Sequence, residues 1–164
     1  MAVTTQKSTE CTNYDANTFM DGLGRGRGKI RFLPVTFAQD GNGDANSLVD
    51  LAQLPGGKVV LLGDLCSLDV AGLGTGTTMD IGWTAYTNSQ GVAVTADIDG
   101  LDDGLDVSAA STVKLGTNDA ICDGAGRKEF DSNGAGVRIQ AKILGAGIPD
   151  TSTIEGFIAY VEMN

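Results

Sequence analysis

The sequence predicts an all-β fold: a single β-sandwich or jelly-roll-like domain with an extended N-terminal arm. Short runs rich in β-branched and aromatic residues recur along the chain. Turn signals such as Asp40-Gly41 and Asn42-Gly43 separate these runs. Stretches with helical spacing are few and short. A length of 164 residues is typical of one domain that can bury a core.

The arm is predicted from the composition of residues 1 to 28. These residues are mostly Thr, Ser, Asn, Gly and Asp, with few large apolar side chains. Such a segment cannot bury enough apolar surface to order itself unless another surface covers it. We therefore expect an extended arm over residues 1–28 and a β-sandwich body over residues 29–164.

Within the body, apolar β-type runs predict strands over residues 29–38, 58–67 and 77–86. Residues 47–54 have the spacing of a short helix, for which Ser47 is a suitable N-cap. Residues 104–116 are compatible with either a helix or a strand, because their β-branched residues weaken the helical pattern.

The clearest strand lies near the C-terminus, where apolar residues at 137, 139, 141 and 143 alternate with Arg138, Gln140 and Lys142. The final run, residues 153–163, is apolar on both faces, which is typical of a central strand or of a strand buried at a subunit contact. The six residues GAGIPD, 145–150, that follow the first run suit a tight antiparallel connection. We therefore predict a C-terminal hairpin.

The residue types that are missing or scarce exclude several function classes. Histidine is absent, which removes the commonest general base, the Ser-His and Cys-His nucleophile pairs and the commonest metal ligand. Carboxylate pairs alone can hydrolyse glycosides, but Trp83, Tyr86 and Phe130 are too few aromatic residues to predict a cleft for sugar stacking. The sequence therefore predicts a protein without enzymatic activity.

Charge and cysteine content limit the partners. A net charge of −10, from 21 acidic and 11 basic residues, disfavours nucleic acid and anionic membranes. Cys11, Cys66 and Cys122 are far apart and have neither zinc-site nor disulfide-framework spacing, so we expect buried free thiols in a reducing compartment. Neither a classical signal sequence nor a membrane-spanning run is recognisable, and we expect no export signal and no membrane anchor.

The glycine-rich stretch DGLGRGRGKI, residues 21–30, raises the question of a phosphate-binding loop. A P-loop requires Ser or Thr after the Gly-Lys pair, whereas Ile30 follows Lys29 here. A dinucleotide-binding fingerprint requires a helix after the glycines, whereas a predicted strand follows. We therefore expect no nucleotide cofactor.

Two acidic segments are candidates for cation sites. Asp40, Asn42 and Asp44 have the spacing of a calcium loop, but Ala45 and Leu51 replace its required Gly and Glu, so a solvated turn is favoured. The segment DIDGLDDGLD, residues 97–106, carries five aspartates and is either a weak divalent-cation site or, as the favoured interpretation, an acidic solubilising loop. No metal cofactor is predicted.

Two sets of residues are candidates for protein contacts. The basic cluster Arg25, Arg27, Lys29 and Arg31 lies between arm and body, and it is either a solvated hinge or a docking site for an acidic surface. In the last strand, an apolar set that we expect to mediate self-association consists of Ile154, Phe157, Ile158 and Tyr160.

The sequence resembles small structural proteins of tailed bacteriophages of the decoration or cement type. The similar segments are the arm MAVTTQKSTECTN, the runs TTMDIGWTAYTNSQGVAV and DDGLDVSAA, and the ending IQAKILGAGIPDTSTIEGFIAYVEMN. These segments span most of the chain, but none is a catalytic signature and no functional residue can be transferred from them. The resemblance implies a β-rich protein that assembles as a trimer on the outer surface of a capsid shell.

The function that this resemblance implies is capsid decoration and stabilisation. The partners would be the major capsid protein and other copies of this chain, as a homotrimer, and the location the outer surface of a virion made in the host cytoplasm. Two alternatives stay open: another virion component such as a head-fibre or tail protein, and a carbohydrate-binding β-domain.

Overall fold

The computed structural model describes residues 5–9, 11–12, 30–117, 122 and 126–163. Thirteen β-strands lie in this described part of the chain. In chain order they are β1 Thr5–Lys7, β2 Ile30–Ala38, β3 Leu48–Leu54, β4 Gly57–Leu62, β5 Ser67–Val70, β6 Thr78–Trp83, β7 Tyr86–Thr87, β8 Ala93–Val94, β9 Asp97–Asp106, β10 Ser111–Val113, β11 Arg127–Ser132, β12 Val137–Leu144 and β13 Thr153–Glu162. A short 3-10 helix, Gly63–Leu65, connects β4 to β5.

The strands form two main sheets. The first sheet has the order β1-β3-β12-β6-β9 and is antiparallel except for the parallel pair β1 and β3. In the second sheet, β13 lies at the centre, with β2 along one side and β5 and β4 along the other. Strand β10 then pairs with β5, and β11 pairs with β4. Strands β7 and β8 form a small separate ribbon.

One cluster of buried apolar residues draws its side chains from both sheets. Val49, Ile81 and Ile139 contribute from the first sheet, and Leu61 and Ile158 from the second. Burying each such side chain stabilises the fold by about 1.5–3 kcal/mol. The predicted all-β sandwich is thereby confirmed.

Most of the predicted strands are present. The runs predicted over residues 29–38 and 77–86 form β2 and β6, and the alternating run forms β12. The run predicted over residues 58–67 contains β4, the 3-10 helix and the start of β5. The 3-10 helix begins at Gly63, where only glycine fits, since a Cβ there would lie 2.1 Å from the Leu115 carbonyl oxygen.

The helix predicted over residues 47–54 is wrong, because this segment forms β3. A β-bulge explains the helical spacing: Ala52 pairs with Ile139 and Asp50 with Gln140, so Leu51 is the extra residue. The bulge shifts the alternation by one position, so that Val49, Ala52 and Leu54 oppose core residues of β12. Core positions three residues apart imitate a helical pattern.

The predicted C-terminal hairpin is also wrong. Strand β12 belongs to the first sheet and β13 to the second, so the intervening residues 145–152 cross from one sheet to the other. Ile148 is buried in the core along this crossing. The Gln39 backbone N–H donates to the Ser152 carbonyl oxygen at 2.8 Å, and the Thr151 N–H donates to the Gln39 carbonyl oxygen at 3.1 Å. The connection is thus held to the end of β2.

The acidic segment 97–106 was predicted as a loop, and this is wrong too, because it forms the edge strand β9. Charged side chains on an edge strand discourage pairing with another chain. Gly100 lies so close to Trp83 that a Cβ would come within 2.5 Å of its ring. Leu101, next to it, is fully buried. Residues 104–116, whose sequence is compatible with a helix or a strand, contribute the end of β9 and strand β10.

Part of the predicted arm packs on the body. Strand β1 pairs with β3, placing Thr5 opposite Leu48 and Lys7 opposite Asp50. The Ser8 hydroxyl donates to the Leu51 carbonyl oxygen at 2.6 Å, and Ser8 and Cys11 are both buried. The remaining arm residues, 1–4, 10 and 13–28, lie outside the described part of the chain. The domain boundary at residue 28 stays a prediction.

Candidate functional site

The outer face of the second sheet carries an apolar patch formed by Ile30, Phe32, Pro34, Phe157 and Val161. Directly opposite residues of β2 and β13 share a face, and the pairs Ile30–Val161 and Pro34–Phe157 are directly opposite. The exposed fractions of Ile30, Phe32 and Phe157 are 49%, 47% and 37%. These three are half of the six large apolar residues that are exposed in the described part of the chain. The patch is thus a concentration of apolar surface and not scattered exposure.

The two aromatic rings of the apolar patch hold each other in place. The centroids of Phe32 and Phe157 are 5.3 Å apart and the ring planes meet at 87°. Edge-to-face pairs of this kind are favourable by about 0.5–1.5 kcal/mol beyond their burial. Strand β2 pairs only with β13 among the described strands and so forms an edge of the sheet. Pro34 lies in the middle of this edge and has no N–H to donate to an added strand.

Charges of both signs border the apolar patch. Lys58 and Glu129 lie on one side, with 3.8 Å between the Lys58 Nζ and Glu129 Oε1 atoms, and both side chains are exposed. Glu155 and Asp69 are paired opposite each other on the other side. An exposed ion pair such as Lys58–Glu129 contributes only about 0–1 kcal/mol to folding, so these charges are free to interact with a partner.

Three of the four residues predicted for self-association lie inside the sandwich. Ile154, Ile158 and Tyr160 are buried in the core shared by the two sheets. Phe157 points away from the core and belongs to the apolar patch. The apolar character of both faces of β13 therefore has two causes: its inner face is core, and part of its outer face is the patch.

The sequence pattern did contain a signal for Ile30 and Phe32, which were not predicted as contact residues. In the run IRFLPVTF, residues 30–37, apolar side chains occupy both the even and the odd positions, which lie on opposite faces of a strand. An edge strand with one solvated face needs apolar residues on one face only. Which set faces outward depends on the pairing with β13. The sequence alone does not specify that pairing.

Only Arg31 of the predicted basic cluster lies in the described residues. Its side chain is 9% exposed, and its Nε atom lies 3.4 Å from Oε1 of Glu162. Burial raises the pKa of Tyr160, the Glu162 charge raises it further and Arg31 opposes both. Arg31 thus forms a largely buried ion pair with Glu162 beside Tyr160. Arg25, Arg27 and Lys29, and with them the glycine-rich stretch 21–29, lie outside the described residues.

The segment resembling a calcium loop forms a turn that is joined to the sheet crossing. The Gly41 N–H donates to Asp150 Oδ1 at 2.9 Å, and the Asp150 N–H donates to Asn42 Oδ1 at 3.0 Å. These reciprocal bonds connect two loops that are distant in sequence. No group of three potential metal-ligating side chains was found in the described residues, which include both acidic segments.

Asp102 in β9 has a structural role, because it binds the backbone that follows β10. Its buried carboxylate accepts hydrogen bonds from the backbone N–H of Gly116 at 3.0 Å and of Thr117 at 2.9 Å, and also from the Thr117 hydroxyl. Burial raises the pKa of Asp102, and these hydrogen bonds lower it in part. Asp102 therefore fixes the segment after β10 to the edge of the first sheet.

The three cysteines are buried and form no disulfide, as predicted. Burial raises the pKa of the Cys66 thiol to about 11, while a hydrogen bond from Ala159 opposes the rise. Cys66 therefore stays a neutral thiol at physiological pH and packs as a small apolar residue.

Within the described residues, no helix has the length and apolar content needed to cross a membrane.

Neither a protein-family model nor a curated protein sequence matches this chain. Solved structures with the same fold do exist. A chain in the capsid of Ralstonia phage GP4 superposes with a TM-score of 0.65 at 16% identity, covering 96% of this chain and 97% of that one. A chain in the capsid asymmetric unit of cyanophage Pam1 gives a TM-score of 0.55 at 12% identity, covering 90% and 96%. At these identities the similarity shows a common fold.

Proposed function

We propose that this protein is a non-enzymatic structural component of a tailed-bacteriophage virion that decorates and stabilises the outer surface of the capsid shell. The observation that carries the proposal is the end-to-end match with a chain of the Ralstonia phage GP4 capsid, 96% of one and 97% of the other. Since these 164 residues cover 97% of the GP4 chain, that capsid chain is itself small. A chain of that size suits an accessory to a shell better than the shell protein itself.

The proposed self-association is a homotrimer in which the apolar patch contacts a neighbouring copy. Its apolar centre with charges of both signs at the border has the composition of a protein interface. In a three-fold ring the contact is heterologous, so the patch of one copy meets a different surface of the next. Phe157 is the residue of the predicted self-association set that takes part.

The proposed attachment to the major capsid protein uses the arm and the basic residues Arg25, Arg27 and Lys29. These positive charges belong to a chain with a net charge of −10. They would direct this end of the molecule toward an acidic patch on the shell, and salt would weaken the attraction. Arg31 is left out of this contact because it is paired with Glu162.

The test is co-sedimentation of the purified protein with capsids that lack it. The parent should pellet with the shells, and R25S/R27S should bind more weakly at moderate salt, with the difference shrinking as salt rises. A matched control, K114S/K142S, removes the same charge elsewhere on the body and should bind like the parent. A parent that stays in the supernatant would contradict capsid decoration. Immunogold labelling of whole virions at the tail or at head fibres would favour the alternative virion component.

A further inference from the structure

The outer face of the first sheet contains a groove of about 620 Å³, on the side of the sandwich opposite the apolar patch. Its floor is formed by β3 and β12, and its walls by β1, the segment Thr84–Thr87 and the turn Asn133–Gly136. We propose that this groove is a binding site for a neutral oligosaccharide. The proposal does not depend on capsid attachment through Arg25, Arg27 and Lys29, although strand β1, one wall of the groove, belongs to the arm.

The floor of the groove is a connected set of polar side chains. Gln140 Nε2 donates to Asp50 Oδ1 at 2.6 Å, and Arg138 Nη1 donates to Asp50 Oδ2 at 3.0 Å. Arg138 Nε donates to Gln53 Oε1 at 3.1 Å, and Gln53 Nε2 donates to the Ala135 carbonyl oxygen at 3.0 Å. These contacts hold the side chains before any ligand arrives, so that little conformational freedom is lost on binding.

The β-bulge at Leu51 creates this arrangement. It places Asp50 directly opposite Gln140, and Gln53 lies opposite Arg138 on the same outer face. Without the extra residue, the register would shift by one and an apolar residue would oppose Gln140. Bulges are over-represented beside functional sites, where they redirect side chains. Although Asp50 belongs to the groove floor, only 2% of its surface is exposed. Its buried negative charge is compensated by the neighbouring Arg138 guanidinium.

The chemistry of the groove fits a neutral polyhydroxyl ligand better than an anion. Three charged residues line the groove. Asp50 neutralises the Arg138 guanidinium at 3.0 Å, which lowers its attraction for a carboxylate or phosphate, and the other cation, Lys7, lies exposed on the β1 wall. Amide side chains offer donors and acceptors together, as a sugar hydroxyl requires. Tyr86 adds a ring and a hydroxyl to the wall, and its ring packs edge to face on Phe130 at 6.2 Å. Burial raises the pKa of Tyr86, so that its hydroxyl stays protonated.

A peptide fits the groove less well. Peptide recognition relies on pockets for large apolar or aromatic anchors. The apolar side chains lining this groove are Ala85, Ala135 and the body of Tyr86, and the other lining side chains are polar. An open, polar and pre-organised groove with one aromatic wall is thus better matched to a sugar chain.

The experiment is an NMR titration of the full-length ¹⁵N-labelled chain with neutral trisaccharides: maltotriose, cellotriose, mannotriose and triacetylchitotriose. At least one should shift the side-chain amides of Gln53 and Gln140 and the backbone amides of Thr84 and Tyr86. Gln53→Ala should weaken that interaction about fivefold or more, the loss expected for one hydrogen bond. The matched control is Gln90→Ala, an exposed glutamine outside the groove.

Thermal melting of both variants verifies that they are folded, and Thr84→Ala provides a second change in the groove wall. The proposal is overturned if no neutral trisaccharide shifts these resonances, or if Gln53→Ala and Thr84→Ala bind as tightly as Gln90→Ala. A response to 3′-sialyllactose alone would also overturn it, because the site would then select an acidic ligand.

Discussion

Phe32 and Phe157 contact each other edge to face on the outer surface of the second sheet, one from the edge strand β2 and one from the central strand β13. Each ring restricts the rotamers open to the other, so the two side chains are partly ordered before any partner binds. Rigid aromatic anchors lose little conformational entropy on association, which favours their use at interfaces.

The first prediction concerns the apolar patch. The double substitution Phe32→Ser and Phe157→Ser should shift the protein from a trimer to its monomer mass of 16.8 kDa, because the aromatic anchors of the contact are removed. Light scattering at micromolar concentration measures the mass. The matched control is Val92→Ser, which removes an exposed apolar side chain from another surface and should leave the trimer intact. A parent protein that is monomeric would contradict the proposed trimer.

The second prediction concerns the N-terminal segment. Deleting residues 2–20 should lower the free energy of unfolding by about 2 kcal/mol and leave the sandwich folded, because β1 and the hydrogen bond from Ser8 to Leu51 are lost. Urea unfolding measures the change.

Two single substitutions separate the contributions to this loss. Ser8→Ala should destabilise by about 1–3 kcal/mol, since the buried Leu51 carbonyl oxygen loses its donor. The exposed neighbour Thr9→Ala should change the stability by less than about 0.5 kcal/mol. Equal unfolding midpoints for the two variants would show that Ser8 does not fasten this segment to β3.

The third prediction concerns pH. The pKa of Asp102 in the folded state is raised above the ordinary value of 3.8, so the folded state binds this proton more tightly than the unfolded state does. Its contribution to stability is therefore fully present below pH 3.8 and is lost as the pH rises through the folded pKa. The stability of the parent relative to Asp102→Asn should fall over this range, as chemical unfolding at a series of pH values would measure. A difference that grows with pH would contradict the raised pKa.

The fourth prediction concerns the close approach of Gly100 to Trp83. Gly100→Ala should destabilise by about 1–3 kcal/mol, because the new methyl group would overlap a buried indole ring at 2.5 Å. Gly134→Ala is the matched control, since a Cβ at that turn position meets nothing within 4 Å. Its stability should stay within about 0.5 kcal/mol of the parent. Thermal unfolding compares the two, and equal melting temperatures would show that β9 can move away from the ring.

The sequence by itself determined the all-β class, the strands β2, β6 and β12, and the burial of the three cysteines. These features depend on local information that each strand carries in its own residues: β-branched side chains, flanking turn dipeptides and apolar residues at every second position. The two-sided apolar character of β13 was also visible locally. Its interpretation as a central strand is confirmed by its position between β2 and the pair β4 and β5.

Only the tertiary structure decided which strands pair and which faces stay exposed. The bulge opposite Ile139 and Gln140 gave β3 a helical spacing, and it also placed Asp50 opposite Gln140 in the groove. The exposure of Phe32 and the burial of Ile158 depend on register and on sheet stacking. Strand pairing joins residues far apart in the chain, and a shift of one residue reverses every face, so local pattern cannot specify these contacts.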